Sequence, residues 1–290
     1  MNLAASEHCV VCENTMLAGL KAWHFRCRHC GYEASTLESN INEAAACEAI
    51  DEREREAGLK AVRQENFREI VAQVARLVPK PRASLLDVGC AHGWFLEEAG
   101  KAFQAQGIEP DDTVRHATAA KGLAVRGGFF PSALNDEEKF DVIVFNDVIE
   151  HIPDISAAVD ACRTTLLPDG VLVLNLPNSG GFFYRLSGLF SRFGWGGPFA
   201  RLWQFGLPSP HVHYFNQQNL RRLVEQHGFD FIACHALPSV HAKGLWDRLR
   251  FVKSTSLPNL CLQYVGILCL LPALRLLPSD IIVCMFRKRA

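Results

Sequence analysis

From residue 36 onward, the hydrophobic and polar positions divide the chain into three parts. Residues 36–80 contain a charged run with apolar residues at helical spacing; it predicts a helix that ends before Pro79 and is broken or kinked at Gly58. Residues 82–235 alternate short apolar runs with helical stretches, the pattern of a parallel sheet with crossover helices. Residues 236–290 are very apolar and finish in a strand-like run, IIVCMF.

The apolar C-terminal part has an uncharged segment, residues 254–274. At about 1.5 Å per residue a helix of this length is roughly 30 Å long, the threshold for crossing a bilayer. Pro258 and Pro272 interrupt the segment, and the strand that follows has to return to the sheet, which a single span does not allow. Residues 254–278 are therefore expected to contact the core or a second copy, or to lie at a membrane surface.

Composition excludes several classes of protein. Hydrophobic residues make up 49% of the 290 residues and charged residues 21%, which excludes disordered and fibrous chains. The formal net charge of -1 disfavours nucleic acid as a partner.

The N-terminus lacks the basic start and apolar run of a secretory signal, so the expected location is the cytoplasm, with peripheral attachment to the cytoplasmic face of a membrane as the alternative.

Residues 1–35 carry the most specific cysteine spacing in the chain. Cys9 and Cys12 form one Cys-x-x-Cys knuckle, and Cys27 and Cys30 form another after 14 intervening residues. Two such knuckles close a tetrahedral zinc site with no open position, which predicts a structural zinc ribbon that folds as a separate unit. Free thiols, a redox pair, and histidine ligands from the same segment are the alternatives.

Residues 84–93, Ser-Leu-Leu-Asp-Val-Gly-Cys-Ala-His-Gly, combine an apolar strand with a glycine-rich turn, and a helical stretch follows. Such a turn lets backbone N–H groups approach a ligand at the edge of a doubly wound sheet. A second strand ends in Glu109, 22 residues after Asp87. An acid at this distance is typical of carboxylates that accept hydrogen bonds from ribose hydroxyls.

Five motifs in this order carry a family resemblance: LLDVGCAHGWFL, GIEP, FDVIVFNDVIEHIPD, LLPDGVLVLNLPN and HVHYFNQQNLRRLVEQHGF. They resemble class I S-adenosylmethionine-dependent methyltransferases, of the ubiquinone-biosynthesis O-methyltransferase type and the type that methylates sugars, glycolipids and secondary metabolites. The resemblance implies an α/β fold with a Rossmann-like, mostly parallel seven-stranded sheet in residues 81–290. A small zinc ribbon (1–35) and a helical connector (36–80) precede it.

The resemblance also assigns roles to individual positions. Asp87 and Gly89 would shape the loop around the methionine part of the cofactor, and Glu109 would hold the ribose. The whole set implied to bind S-adenosylmethionine is Asp87, Gly89, Cys90, Gly93, Glu109, Pro110, Gly128, Asn146 and Asp147. Where the family has a further glycine this chain has Ala91, which is expected to tolerate the turn only with a negative φ.

Methyl transfer to a hydroxyl requires a base within hydrogen-bond reach of the acceptor. His151, in the pair Glu150-His151 after the fourth strand, is the first candidate because histidine titrates near neutral pH. His213, in the run His-Val-His-Tyr-Phe, is the second. Each has an alternative reading, His151 as an organiser of its loop and His213 as a packed, hydrogen-bonded histidine.

Residues 179–210 form an aromatic, glycine-rich insertion, which is interpreted either as a lid over the acceptor that contacts lipid or as ordinary packing.

The predicted reaction is methylation of a hydroxyl on a sugar, glycolipid or other apolar metabolite. The alternatives are a C- or N-methyltransferase, including one for RNA bases, and an inactive cofactor-binding assembly protein. The fourth strand ends in Phe-Asn-Asp-Val rather than in an Asn/Asp-Pro-Pro-aromatic run, which disfavours amino-methylation of bases. The sequence leaves open whether the chain forms a homodimer.

Overall fold

A computed structural model describes residues 8–39, 52–239, 245–246, 257–274 and 276–289. The strands are β1 Met16–Ala18, β2 His24–Cys27, β3 Glu33–Ser35, β4 Ser84–Val88, β5 Gln104–Glu109, β6 Val125–Gly127, β7 Phe140–Asn146, β8 Leu166–Pro177, β9 His213–Tyr214, β10 Phe229–Leu237 and β11 Ile281–Lys288. The helices are α1 Glu52–Leu77, α2 Trp94–Ala99, α3 Asp112–Ala119, α4 Ile155–Thr165, α5 Phe182–Arg192, α6 Gly197–Leu202, α7 Gln217–Gln226 and α8 Leu257–Leu274, with a 3₁₀ turn at Ile149–His151.

Seven strands form the main sheet in the order β10-β11-β8-β7-β4-β5-β6. The pairs β8–β7, β7–β4, β4–β5 and β5–β6 are parallel, and β11 is antiparallel to both of its neighbours. The predicted mostly parallel seven-stranded sheet is therefore confirmed. The C-terminal apolar run forms β11, which lies inside the sheet rather than at its edge.

Consecutive residues of the central strands point to opposite faces, and helices cover both faces. Leu85 and Val142 pack with α1 and α2 on one face, whereas Leu86 and Ile143 pack with α4 and α7 on the other. This two-sided burial explains why the strands read as continuous apolar runs in the sequence.

Helix α1 ends before Pro79, as predicted, but it continues through Gly58 without a break. The expected break at Gly58 is wrong, because a glycine costs a helix only about 1 kcal/mol. Docking of the buried residues Phe67, Ile70 and Val74 against the sheet offsets that amount.

The N-terminal ribbon is not a separate unit. Its strands β1, β2 and β3 form a four-stranded sheet with β9, in which Ala34 lies opposite His213. Cys9, Cys27 and Tyr32 belong to the same buried cluster as residues of the main sheet. The expectation of an independent ribbon is wrong, because its inner face is completed by the later part of the chain.

The aromatic insertion, residues 179–210, contains α5 and α6 rather than an open loop. Tyr184, Phe199 and Trp203 of the insertion form a buried aromatic cluster with Tyr214 of β9, next to Leu20 and Trp23 of the ribbon. Its tip exposes large apolar side chains, with Phe193 77% and Trp195 72% accessible.

The uncharged segment forms α8, and its first residues, 254–256, lie outside the described residues. No helix in the described ranges has the length and apolarity needed to cross a bilayer.

Candidate active site

A cavity of about 650 Å³ opens at the carboxyl ends of β4, β5 and β7. Parallel sheets of this kind bind ligands at that edge. Helix α1 closes one side through Arg63 and Phe67, and the aromatic insertion closes another through Gln204 and residues 207–209. Eight of the nine residues predicted to bind the cofactor line this cavity, and Gly93 does not.

The glycine-rich loop after β4 contains three residues in the left-handed region. Gly89 has φ +69°, and a Cβ there would lie 2.6 Å from Cγ2 of Val148. Gly93 has φ +75°, and its Cβ would meet Leu123 at 2.4 Å. Ala91 has φ +43°, so the expected negative φ is wrong.

Two hydrogen bonds hold Ala91 in this conformation. Its backbone N–H donates to Oε2 of Glu109 at 2.9 Å, and Thr118 Oγ1 donates to its carbonyl at 2.7 Å. These bonds outweigh the steric penalty of an alanine Cβ in the left-handed region, about 1–2 kcal/mol.

Glu109, the last residue of β5, links the second strand to the glycine-rich loop. Its Oε1 accepts from the backbone N–H of Asp111 at 2.9 Å, while Oε2 accepts from Ala91. Burial raises the pKa of this carboxyl. Each oxygen keeps a further lone pair, so the carboxylate can still accept hydrogen bonds from a ligand in the cavity.

Asp87, the second buried acid, lies at the end of β4. Burial raises its pKa to about 8; a hydrogen bond from Asn146 opposes that shift, and the nearby Glu109 adds to it. Nδ2 of Asn146 donates to Oδ1 of Asp87 at 3.1 Å, and Asn175 donates to Asn146 at 3.4 Å. The three side chains form a chain across the ends of adjacent strands.

Asp147 has φ +55° and forms an ion pair with Arg63 of α1. Nη2 of Arg63 lies 3.1 Å from Oδ2 of Asp147. Sequence reasoning missed Arg63, because α1 contains many charged residues and only the docking of the helix distinguishes this one. The pair places one guanidinium at the mouth of the cavity.

His151 lines the cavity from the 3₁₀ turn after β7. Its Nδ1 lies 2.9 Å from the carbonyl oxygen of Pro210. A carbonyl only accepts, so Nδ1 carries the proton and Nε2 is the basic nitrogen of the neutral ring. The predicted candidate base is thus in the cavity and held in the tautomer that a base requires.

Glu150 and His211 lie behind His151. Glu150 is fully buried, and burial raises the pKa of its carboxyl well above the ordinary value. Burial lowers the pKa of His211. Glu150, His151 and His211 each offer one ligand atom, and these atoms lie within 4.8 Å of one another, a set that could hold a divalent cation.

His213, the second candidate base, does not line the cavity. Its Nδ1 is hydrogen-bonded to the hydroxyl of Tyr32, and its Nε2 lies 2.9 Å from the carbonyl oxygen of Ile152. Burial lowers its pKa to about 4. His213 therefore connects the ribbon to the turn that carries His151, and the expectation of a direct role for it does not fit this position.

The four ribbon cysteines converge on one point, as their spacing predicts. Sγ of Cys9 lies 3.5 Å from that of Cys30, and Sγ of Cys12 lies 3.4 Å from that of Cys27. All four sulfur atoms lie within 4.8 Å of one another, which fits the edges of a tetrahedron of thiolates around zinc.

Comparisons with known proteins agree with this geometry. Residues 62–233 match the model of a methyltransferase domain family. A ubiquinone biosynthesis O-methyltransferase of Actinobacillus pleuropneumoniae is 33% identical over 108 residues, which are 32% of this chain and 45% of the relative. The mitochondrial enzyme of the same name from Bos taurus is 30% identical over 39% of this chain and 34% of the relative. These alignments therefore span less than half of either relative.

Two solved structures share the fold. A SAM-dependent methyltransferase from Thermotoga maritima superposes with a TM-score of 0.54 at 15% identity, over 84% of this chain and 97% of that one. A chain from the complex between the Haloferax volcanii Trm112 methyltransferase activator and a methyltransferase gives 0.55 at 10% identity, over 87% and 98%. At these identities the likeness concerns the fold alone.

Proposed function

This chain belongs to the methyltransferase domain family, and on that premise we propose that it transfers the methyl group of S-adenosylmethionine to a hydroxyl group of a small or lipid-linked acceptor. The observation that carries the proposal is a single cavity that brings the glycine-rich loop and Glu109 together with His151. The relatives named ubiquinone biosynthesis O-methyltransferases support oxygen as the acceptor atom.

The cavity fits the cofactor in size and in chemistry. A volume of about 650 Å³ is in the range of cofactor sites. Glu109 would hold the ribose, because its two backbone donors leave lone pairs that can accept from hydroxyls. Gly128 and Phe129 line the same cavity and would border the adenine. When bound, the cofactor supplies an electrophilic methyl group on a sulfonium.

The polar groups at the other end of the cavity suit the methionine part. Arg63 presents a guanidinium that matches a carboxylate in a bidentate geometry. Asp87, once ionised, attracts the positive charges of the cofactor, and Asn146 orients that carboxylate through its hydrogen bond. In the protein without ligand, Asp147 holds Arg63 in place through their ion pair.

His151 acts as the general base. The carbonyl of Pro210 accepts from its Nδ1, so its Nε2 is the nitrogen that would accept the proton of an acceptor hydroxyl. Ile152, Leu207 and Pro208 give this part of the cavity apolar walls, which favour a sugar, glycolipid or other acceptor with an apolar portion.

Cys9, Cys12, Cys27 and Cys30 hold one structural zinc ion in this proposal. The fit of their sulfur atoms to a tetrahedron supports it. Four thiolates would leave such a metal no open position, so it would supply folding energy to a segment too small to hold a core.

The variant His151→Ala tests the base. Methyl transfer from radiolabelled S-adenosylmethionine is measured with a panel of phenols, quinols, sugars and amines, and cofactor binding by calorimetry. We expect kcat for hydroxyl acceptors to fall about 10²–10⁴-fold while cofactor affinity stays within about twofold, with a smaller loss at high pH where hydroxide substitutes.

His227→Ala is the matched control, because His227 pairs with Asp160 on the surface away from the cavity. Loss of cofactor binding in His151→Ala would make His151 an organiser of its loop. Transfer confined to amines would contradict the hydroxyl acceptor. Absence of cofactor binding by the wild type would refute the proposal as a whole.

A further inference from the structure

A second cavity, of about 800 Å³, lies between the ribbon and α5. We call it the ribbon groove: β1, β2 and β3 line one side, and Tyr184, Arg185, Leu189 and Arg192 of α5 line the other. Among the described residues, none lines both this groove and the cavity at the strand ends. Phe199 of the buried aromatic cluster lines the ribbon groove, whereas Gln204, next to Trp203 in the chain, lines the other cavity.

The ribbon groove is strongly cationic. Arg26 and Arg28 line it from the ribbon, and Arg185 and Arg192 line it from α5. All four side chains are solvent-exposed. Glu33 is the one carboxylate among the described lining residues. Arginines from two separate elements therefore face one opening, in a chain whose overall charge is near zero.

Glu33 pairs with only one of these four arginines, Arg26. Its Oε2 accepts from His24 at 2.8 Å and from the hydroxyl of Tyr184 at 2.6 Å, on the buried floor of the groove. Its Oε1 lies 3.6 Å from Nε of Arg26. The other three arginines form no ion pair with any residue that the structure describes.

The spacing of the arginines indicates an extended anion. Arg185 and Arg192 are seven residues apart on one face of α5, about 10 Å along its axis. Together with Arg28 they present more N–H donors than the two oxygens of a single carboxylate can accept from, whereas a diphosphate offers several anionic oxygens. The guanidinium fork matches phosphate oxygens in a bidentate geometry.

The groove also has apolar walls. Leu17 and Leu20 line it from the ribbon, and Leu189 and Phe199 line it from the insertion. A ligand that suits both features carries phosphate groups next to an apolar or sugar portion. The same chemistry occurs in soluble nucleoside diphosphates and in the headgroups of lipids.

We propose that the ribbon groove is a binding site for the diphosphate or phosphodiester group of a small molecule or lipid. Arg28, Arg185 and Arg192 bind the phosphate oxygens. The buried hydrogen bond from Tyr184 of α5 to Glu33 of β3 links the two walls of the groove. The site is separate from the methyl-transfer cavity, and the proposal stands or falls independently of the reaction proposed above.

Calorimetric titration of the full chain with inorganic pyrophosphate and with uridine diphosphate tests the free-phosphate source. Co-sedimentation with phosphatidylglycerol vesicles, against neutral phosphatidylcholine vesicles, tests the lipid source. We expect binding to at least one of these probes that weakens as salt increases. A double variant, Arg185→Gln with Arg192→Gln, is expected to bind at least about tenfold more weakly.

The matched control is Arg201→Gln with Arg222→Gln, which removes two exposed arginines outside the groove. Circular dichroism and zinc content establish that each variant is folded. Wild-type protein that binds none of the probes would overturn the proposal, as would equal weakening in both double variants. Tighter binding of a single-stranded RNA oligonucleotide, lost in the groove variant, would assign the groove to nucleic acid and overturn it too.

Discussion

Replacing Ala91 with glycine is expected to stabilise this protein. Ala91 has φ +43°, and the left-handed region costs an alanine about 1–2 kcal/mol. Glycine removes that strain but makes the unfolded chain more flexible, which costs about 0.4–1 kcal/mol. The expected net gain is about 0.5–1 kcal/mol, and it appears as a rise in Tm of about 1–4 °C.

The hydrogen bonds of the loop are made by the backbone of Ala91, so the substitution leaves them intact. When the loop has the same conformation with and without the cofactor, the backbone strain at Ala91 is the same in both states. The affinity for S-adenosylmethionine, measured by calorimetry, is therefore expected to change less than about twofold.

Two glycines calibrate this measurement. Gly122 has φ +81° and open space around the position of a Cβ, so Gly122→Ala measures the backbone penalty alone. Gly89→Ala adds a clash with Val148 and is expected to destabilise the protein more. If Gly122→Ala costs 1 kcal/mol or more while Ala91→Gly gains nothing in urea or thermal unfolding, the assignment of strain to Ala91 is refuted.

Three further predictions concern the two proposed sites. Glu109→Gln keeps one acceptor oxygen but removes the charge, so the cofactor affinity measured by calorimetry should fall about tenfold or more. Unchanged affinity would contradict the proposed role of Glu109 in binding the ribose. Cys27→Ser should lose the zinc in metal analysis and lower Tm, since the ribbon shares a core with the main sheet. Cys261→Ser, at an exposed cysteine, should change neither the zinc content nor Tm. A wild-type protein that is metal-free and fully stable would contradict the zinc site. Burial raises the pKa of Asp87 to about 8, so the empty protein holds this proton at neutral pH and loses stability as pH rises from about 4 to about 8. Binding of the cationic cofactor should release the proton, with affinity that increases up to about pH 8; calorimetry in buffers of different ionisation enthalpy that finds no release would contradict this.

Local features of the chain were predictable where a short pattern determines them. The apolar run of β4, the glycines that follow it and the acid at the end of β5 gave the strands, the turn and the position of Glu109. The conformation of Ala91 was not predictable in this way, since Glu109 and Thr118 hold it from other elements.

Contacts between distant parts of the chain were missed for the same reason. Tyr32 and His213 are separated by 181 positions, and neither carries a local signal of the other. Arg63 is one charged residue among many in α1 and becomes distinctive only when the helix docks beside Asp147.

The pairing of β3 with β9 has a consequence for folding during synthesis of the chain. The ribbon is synthesised before β9, so Ala34 can pair with His213 only after the later strand has been made. Closing so long a loop is slow, and until then β3 has an unpaired edge that can associate with other chains. Early metal binding by the four cysteines would hold the nascent ribbon folded through that interval, so zinc supply during translation is expected to determine the yield of soluble protein.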